Sequence, residues 1–527
     1  MRMYGRDKRT FLMGILFYRK AIELLLSRKR HILKKLWHIL KVGTKMNGRM
    51  FSFLLGRMLW VDGGVFGITW LAAQGFRQAH AVYLCIPALV ALGSAGILQY
   101  VSRRHRRSIH VRESAFYMAF LWLIMSILGA VPFYLTGAYS ISDAFFESVS
   151  ACTTTGLSLY PDLWQQMPCL FTWQCMLKWL GGLHFIILLV TVVPQVSGCF
   201  GLFLSARQGM SFSPVIHQME ERARRLAFVY AFFSLVLVWL YSQAGLSWQQ
   251  ALYQSLLTVS TGGGDTGADF RYYHRFSVEI VGIAGMLAGG GNFLLYSKGG
   301  FLHCLKAVYT DVESRVFVGI LAILSLLITA DLCCHQGYTL RLALRYSFFQ
   351  VVSFLSTAGF FVTNIQQWPD FSKFILFLSS LVGGCIGSVA GGLRIMRGII
   401  LFKLAAQEMK RTLHPQMVTC LKVNSVPVDR KIVSRITGYF FLFIGVFFIS
   451  AVVIAGSGVQ PLTAMGLAAG ALSGSGTTAH LFGNITIRAL PAWTKVYCAL
   501  VMIVGKMEIF SFLIILQSGI GYIRRRW

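Results

Sequence analysis

Charge is what this chain has little of. Only 13% of its 527 residues are Asp, Glu, Lys or Arg, where a soluble domain carries about a quarter. Acidic residues are scarcest: 19 Asp and Glu stand against 49 Lys and Arg, for a net charge of +30. Catalytic signatures are missing too. There is no Walker lysine loop, no HExxH and no GxSxG, so the commonest nucleotide-hydrolysing, metalloprotease and hydrolase patterns do not apply. The eleven cysteines follow no regular spacing and form no CxxC or His/Cys metal pattern. Cys85, Cys152, Cys175, Cys333, Cys334 and Cys498 stand in apolar surroundings, which suits reduced, structural thiols. Asp265-Thr266-Gly267 mimics an aspartic-protease triplet, but that chemistry needs two carboxylates sharing a proton, and there is no second triplet.

Apolar sequence fills the chain instead. It is 56% hydrophobic with mean hydropathy +0.63. Runs near the 20-residue span length recur along most of it, which predicts an all-α polytopic membrane protein. A membrane barrel would alternate over roughly ten residues and is excluded. In a soluble protein the basic excess would suggest nucleic acid; here Lys and Arg gather in loops between spans and hold them on the cytoplasmic side. Residues 1–50 hold fourteen Lys/Arg against Asp7 and Glu23. They read as a cytoplasmic amphipathic arm on anionic lipid, worth about 1 kcal/mol per well-placed cation. An unstructured tail, or an over-long start with the true one at Met46 or Met50, accounts for them equally, since their faces segregate poorly. The apolar core is too short for a cleavable signal.

Two spans are expected in 51–110. A unit then repeats four times: 111–205, 206–300, 301–431 and 432–527. In each a span leads to a short helix, then a glycine stretch, then a second span. The short helices are expected from Ser140 or Ser142, over Ser247–Val259, over Leu340–Leu355 and over Leu462–Leu472, with serine a plausible N-cap of the first. The returning spans are expected near 172–193, 278–297 and 493–516, and the third unit returns through the segment Phe371–Arg397. The stretches are Thr153-Thr154-Thr155-Gly156, Ser260-Thr261-Gly262-Gly263, Ser356-Thr357-Ala358-Gly359 and Leu472-Ser473-Gly474. Their glycines Gly156, Gly263, Gly359 and Gly474 recur at intervals of 107, 96 and 115 residues, a sign of internal repetition. The fourth has no Thr before its glycine and a second candidate in Gly476.

Non-helical backbone at membrane depth is tolerated only where protein buries it or where it lines a watery path. A helix ending midway carries roughly half a negative charge at its C-terminus. Four such ends around one axis attract a cation, and inward carbonyls can replace its water shell. Glycine permits the backbone angles, and Thr and Ser add oxygen ligands suited to hard cations. Singly, each glycine is better read as a helix-packing residue; four in matched units favour a shared device.

Here the chain resembles the TrkH/KtrB family of potassium transporters. The resemblance rests on Thr153–Gly156 with Trp179-Leu180-Gly181-Gly182, on Ser260–Gly263, and on Ser356–Phe360 with Gln367-Trp368-Pro369. It continues through Gly383-Gly384-Cys385-Ile386-Gly387-Ser388 and His414-Pro415 to Gly505-Lys506-Met507-Glu508-Ile509-Phe510. It runs from about residue 51 to the C-terminus. It implies four pseudo-symmetric span–pore helix–span repeats around one pore and potassium uptake across the bacterial inner membrane. It also implies a homodimer and a cytosolic nucleotide-binding partner of the TrkA kind, with no organic cofactor in this chain. Potassium would bind at Thr154, Thr155, Gly156, Thr261, Gly262, Gly263, Thr357, Ala358, Gly359, Ser473 and Gly474.

Gly383, Gly387 and Gly391 are four apart, the spacing of a close helix–helix face. The resemblance favours instead an intramembrane gate loop of Gly383, Gly384, Gly387, Ser388, Gly391 and Gly392, with Lys506 beside it. An intramembrane lysine costs about 2.5–3.5 kcal/mol and is functional by default; a buried ion pair is the plainer reading. The family normally has arginine there, and lysine loses the planar fork. Lys178 is a second intramembrane cation, where the family is usually uncharged. A structural, snorkelling role is expected; facing the pore, it would oppose cations. Asp265 and Asp269 either gather cations at the mouth or are loop acids balanced by Arg271 and Arg275. Gly264 and Ser475 depart from the family's aromatic and proline, which implies a looser filter and leaves a Na⁺-permeable relative open. A membrane-embedded transferase would need paired acids or histidines at one membrane face, and none are found; the filter motifs argue against a non-conducting scaffold.

Overall fold

The computed structural model describes residues 48–102, 111–160, 163–191, 216–264, 269–296, 301–414, 416, 420–424, 426–483 and 485–524. All but the last three residues of the expected N-terminal arm lie outside this range, as does Asp265. Residues 49–512 form one compact unit. The described part of the other is Gly48 and the helical residues Leu513–Arg524. Among the described residues the sole strand pairing is a two-residue hairpin, Lys422–Val423 against Val426–Pro427.

Helices α1 (Gly48–Gly75) and α2 (Cys85–Ser102) come first. A long helix, a short helix and a returning helix then follow one another four times. The first set is α3 (Val111–Leu135), α4 (Ile141–Cys152) and α5 (Pro168–Thr191); the second is α6 (Ile216–Gln243), α7 (Trp248–Val259) and α8 (Phe276–Gly290). The third is α9 (Val312–Gln336), α10 (Leu340–Leu355) and α11 (Asp370–Val382), after which α12 (Ile395–Leu413) leads on. The fourth is α13 (Arg430–Ala455), α14 (Pro461–Ser473) and α15 (Ala492–Lys506), followed by α16 (Ile509–Arg524).

Local sequence sets where the short helices begin. Ser140 caps α4, its hydroxyl accepting the Asp143 N–H at 3.3 Å. Ser247 and Gln250 form a capping box on α7, which satisfies two otherwise orphaned N–H groups. Pro461 stands at the start of α14, where its missing N–H costs nothing. The C-terminal halves of all four are buried: Phe146–Cys152, Tyr253–Val259, Phe349–Leu355 and Gly466–Ser473. Serines in the first three halves are satisfied by neighbouring carbonyls. Ser148 donates to Ser126 O at 2.7 Å and Ser255 to Ser234 O at 2.6 Å, as buried hydroxyls require.

The long helices face outward. Ile68, Leu89, Leu235, Val318 and Phe441 are exposed, an apolar surface suited to lipid tails. Six described helices are long and apolar enough to cross a membrane: α1, the Ala81–Ser102 segment, and most or all of α3, α6, α9 and α13. The returning helices of the second and fourth sets depart from expectation. The expected spans 278–297 and 493–516 stop as helices at Gly290 and Lys506, while the returning segment 371–397 is helical to Val382, where the expected loop begins. At 1.5 Å per residue these helices are about 20–22 Å long, short of a hydrocarbon core of about 30 Å. Each keeps an exposed apolar face, with Phe276, Phe374 and Leu500 on these faces. The backbone that leaves two of them finds protein partners, as membrane depth requires: Gly290 O takes Cys385 N–H, and Gly383 N–H reaches Ser379 O.

Ion pairs lock successive sets together. Arg345 on α10 grips Glu279 on α8 with two bonds, 2.6 and 2.7 Å. Lys495 on α15 reaches Asp143 on α4 at 2.7 Å. The fully buried His184 Nε2 and Asp62 Oδ1 stand 3.0 Å apart between α5 and α1, a pair that is ionic only when the imidazole is protonated. Arg345→Met leaves the buried Glu279 carboxylate without its fork, and we expect a loss of roughly 1.5–3 kcal/mol. A lowered thermal unfolding midpoint of the detergent-solubilised protein checks this; an unchanged midpoint overturns it.

Candidate functional site

Each short helix ends in the same closing turn. Thr155 N–H donates to Ser150 O, Gly262 to Leu257 O, Ala358 to Ser353 O and Ser475 to Gly470 O, at 2.9–3.1 Å. Every one of these bonds reaches back five residues. The residue before each donor has a left-handed backbone: Thr154 at φ 58, Thr261 at 49, Thr357 at 55 and Gly474 at 75. For a β-branched threonine this is an outlier costing about 1–3 kcal/mol, and such strain clusters at functional sites. The shared register aligns 153–156 with 260–263, 356–359 and 473–476. Gly474 therefore occupies the position of Thr154, and Gly476 matches Gly156, Gly263 and Gly359. The sequence offered two glycines in the fourth stretch; the hydrogen bonds decide between them.

The four stretches close into a ring. A Cβ on Gly156 would lie 3.0 Å from Gly264 Cα and 3.1 Å from Gly263 O. Gly264 N–H donates to Gly359 O at 3.2 Å. A Cβ on Gly359 would lie 2.8 Å from Thr477 Oγ1. Gly476 N–H donates to Thr155 O at 2.7 Å. First meets second, second meets third, third meets fourth, and fourth meets first. The returning helices press glycines onto the last carbonyls of the short helices. Any side chain on Gly181 would strike Cys152 O, and any on Gly505 would strike Leu472 O, which accounts for the glycines of those two motifs. On the far side of the ring a cavity of about 380 Å³ draws its lining from all four sets, with Ser158, Arg271, Asn364 and His480 among its walls.

Residues 383–394 form no helix, so the helix-face reading of the glycine run fails. The loop crosses the underside of the ring. Cys385 and Val389 N–H donate to Gly290 O and Gly289 O at 3.1 and 3.2 Å. Gly391 N–H donates to Thr357 Oγ1 at 3.1 Å, and Gly391 backs onto Ser473 O with no room for a side chain. Lys506 completes the attachment. Its Nζ donates to Thr154 Oγ1 at 2.7 Å and to Val389 O at 3.0 Å, and it stands 4.8 Å from the Phe185 ring centre. It thus ties the first stretch to the loop. Glu508 pairs instead with Arg394 and Arg397.

Lys178 does not snorkel. It is fully buried, and its Nζ donates to Gly263 O at 2.8 Å. Asp269 is not a solvated acid of the mouth. It is buried, held by Arg271 at 2.5 Å, and accepts the Phe361 N–H at 3.3 Å. Arg275 donates to Gly245 O at 2.6 Å. Three residues escaped the sequence reading. Glu147 accepts from Leu159 N–H at 2.9 Å, Ser158 at 2.7 Å and Gln174 at 2.5 Å. Gln350 repeats this in the third set by accepting Val362 N–H at 3.0 Å, and both bonds span twelve residues. Glu313 accepts the Ile386 N–H of the loop at 2.5 Å. The available signal was a lone acid in an apolar segment, which is a functional hypothesis by default.

The register makes a paired prediction. Gly474→Ala adds a methyl with nothing within 4 Å and costs only the left-handed backbone penalty, about 1–2 kcal/mol. Gly476→Ala puts its Cβ 2.6 Å from Leu157 N and 2.8 Å from Thr155 O, two backbone atoms that cannot give way. Unfolding midpoints should fall further for Gly476→Ala; the reverse order overturns the register.

Comparison with known proteins agrees with this geometry. Residues 88–518 match the family model TrkH, described as a cation transport protein. The Trk system potassium uptake protein TrkH of Halomonas elongata is 30% identical over 459 residues, covering 85% of this chain and 93% of that one. The protein of the same name from Escherichia coli K12 is 28% identical over 480 residues, covering 89% and 98%. The crystal structure of the potassium transporter TrkH from Vibrio parahaemolyticus superposes with a TM-score of 0.81 at 26% identity, covering 89% of this chain and 99% of that one. The chain belongs to the TrkH family of cation transport proteins.

Proposed function

We propose that this chain is the pore-forming subunit of a Trk-type potassium uptake system. The reading draws on the names of its relatives, and one observation carries it: four helix C-termini converge on a closed ring of backbone. Each end contributes roughly half a negative charge. The ring also holds buried oxygens with no hydrogen-bond partner, among them Thr261 Oγ1, Ser475 Oγ and Thr477 Oγ1. Such groups are costly unless something binds them, and oxygen ligands suit a hard monovalent cation.

On this reading Thr154–Gly156, Thr261–Gly263, Thr357–Gly359 and Ser473–Gly476 form the selectivity filter, the fourth extended by register. The ion enters through the cavity beside Ser158 and Asn364 and sheds water at the ring. It then meets the 383–392 loop, held shut by Lys506, by Thr357 and by Glu313. The filter opens to the outside, and both termini lie in the cytoplasm of a bacterial inner membrane, as the basic loops suggest. A homodimer and a cytosolic nucleotide-binding partner of the TrkA kind complete the system. The exposed Lys410 and Arg411 at the end of α12 suit the docking of such a partner.

Flux in liposomes tests the reading. The wild type should take up Rb⁺, and Gly359→Ser should cut uptake by about tenfold or more, because it disturbs a glycine at φ 71 in the closed ring. No wild-type flux, or no effect of the substitution, sinks it; Na⁺ passing as readily as Rb⁺ selects the less selective alternative. Lys506→Met removes two bonds that hold the loop to the ring. Losing about 1.5 kcal/mol from the closed arrangement should raise partner-free Rb⁺ flux about tenfold. Unchanged flux in this variant would mean that Lys506 does not hold the gate.

A further inference from the structure

We propose that Asn424 is a positioning residue of the gate. From the hairpin between α12 and α13 it fixes the start of α9, and with it the carboxylate that holds the 383–394 loop. The proposal rests on the gate reading above and deepens it. Asn424 grips α9 with both ends of its amide. Its Oδ1 accepts the Val312 N–H at 3.1 Å, and its Nδ2 donates to Asp311 Oδ1 at 3.0 Å. Asp311 is the N-cap of α9, its other oxygen accepting the Ser314 N–H at 3.3 Å. The first N–H groups of a helix have no partner within it, so a side chain 112 residues away completes this end. The residue after Val312 is Glu313, which is buried and accepts the Ile386 N–H of the loop at 2.5 Å.

The hairpin is itself held in place. Leu421 and Val423 are buried, and Lys403 on α12 donates to Lys422 O at 2.9 Å. The loop runs directly into α12. The contacts therefore close a circuit: from the loop along α12 to the hairpin, across Asn424 to α9, and through Glu313 back to the loop. Asn424 turns the chain here at φ 49, a left-handed backbone that asparagine enters more readily than most residues. Hydrogen bonds fail beyond about 3.5 Å, so a shift of about 1 Å in the first turn of α9 releases Ile386. Displacing the hairpin thus loosens the loop and leaves the ring alone.

The competing account makes Asn424 a helix cap that affects stability only. Partner-free Rb⁺ uptake into liposomes, over a range of Rb⁺ concentrations, separates the two. Asn424→Gly keeps the left-handed turn, which glycine adopts freely, and removes both bonds. It should raise the maximal rate about fivefold and leave the half-saturating concentration unchanged. Asn424→Asp loses the donor to Asp311 and should raise the rate as well. Adding Asp311→Asn to it sets a donor against an acceptor again, and the rate should return to that of the wild type. A folded Asn424→Gly variant with an unmoved rate or a shifted half-saturation overturns the proposal. So does an exchanged pair that is as fast as Asn424→Asp alone. If Asn424→Gly does not fold, Asn424→Asp and the exchanged pair decide. Lys506→Met runs alongside. If it raises flux while the Asn424 variants do not, the proposal falls and the gate stands. If no variant raises flux, both fall.

Discussion

Backbone that leaves a helix inside a membrane must find its partners in protein, and the architecture serves that constraint. The four short helices stop midway and leave carbonyls exposed at one place. Bonds between stretches, such as Gly264 to Gly359 and Gly476 to Thr155, satisfy part of this need. Closely packed glycines at 181 and 505 seal the last helical carbonyls from the side. What stays unpaired are oxygens such as Thr261 Oγ1 and Ser475 Oγ, the groups a cation can use. The long outer helices shield the ring from lipid, and the broken inner ones supply the loop beneath it.

Charge is rationed around this centre. Two lysines approach the ring from the returning helices of the first and fourth sets, Lys178 at Gly263 and Lys506 at Thr154. Two glutamates hold backbone rather than ions: Glu147 steadies the exit of the first stretch, and Glu313 the loop below. Glu508 is spent on Arg394 and Arg397, which frees Lys506 to bond neutral oxygens. An intramembrane charge is expensive, and Lys178, Lys506, Glu147 and Glu313 each bond a backbone atom of the stretches or the loop.

Much of this plan was readable in advance. Apolar runs gave the long helices, and Ser247 with Gln250 marked the start of a short one by local hydrogen bonding alone. The glycine stretches could be matched because repeated units reuse the same turn. The readings that failed share a cause. Gly474 was preferred to Gly476 because spacing cannot see which N–H closes a turn. The spans expected at 278–297 and 493–516 are too long as helices because apolar composition looks alike in a straight helix and in one that breaks against protein. Lys178 was assigned a snorkelling role because a lone lysine in a span gives no hint of what stands beside it.

The sequence by itself therefore determined the membrane class, the fourfold repetition and the family. These depend on composition, periodicity and short motifs, which are local. Tertiary structure alone decided which glycine completes the ring, that residues 383–394 pass beneath it, and that Gly263 O receives the ammonium of Lys178. The fourth stretch meets the ring through the Gly476 bond to Thr155, the loop through its bond to Gly290, and Lys178 through Gly263; each joins different sets, and the packing of the whole bundle chooses such contacts.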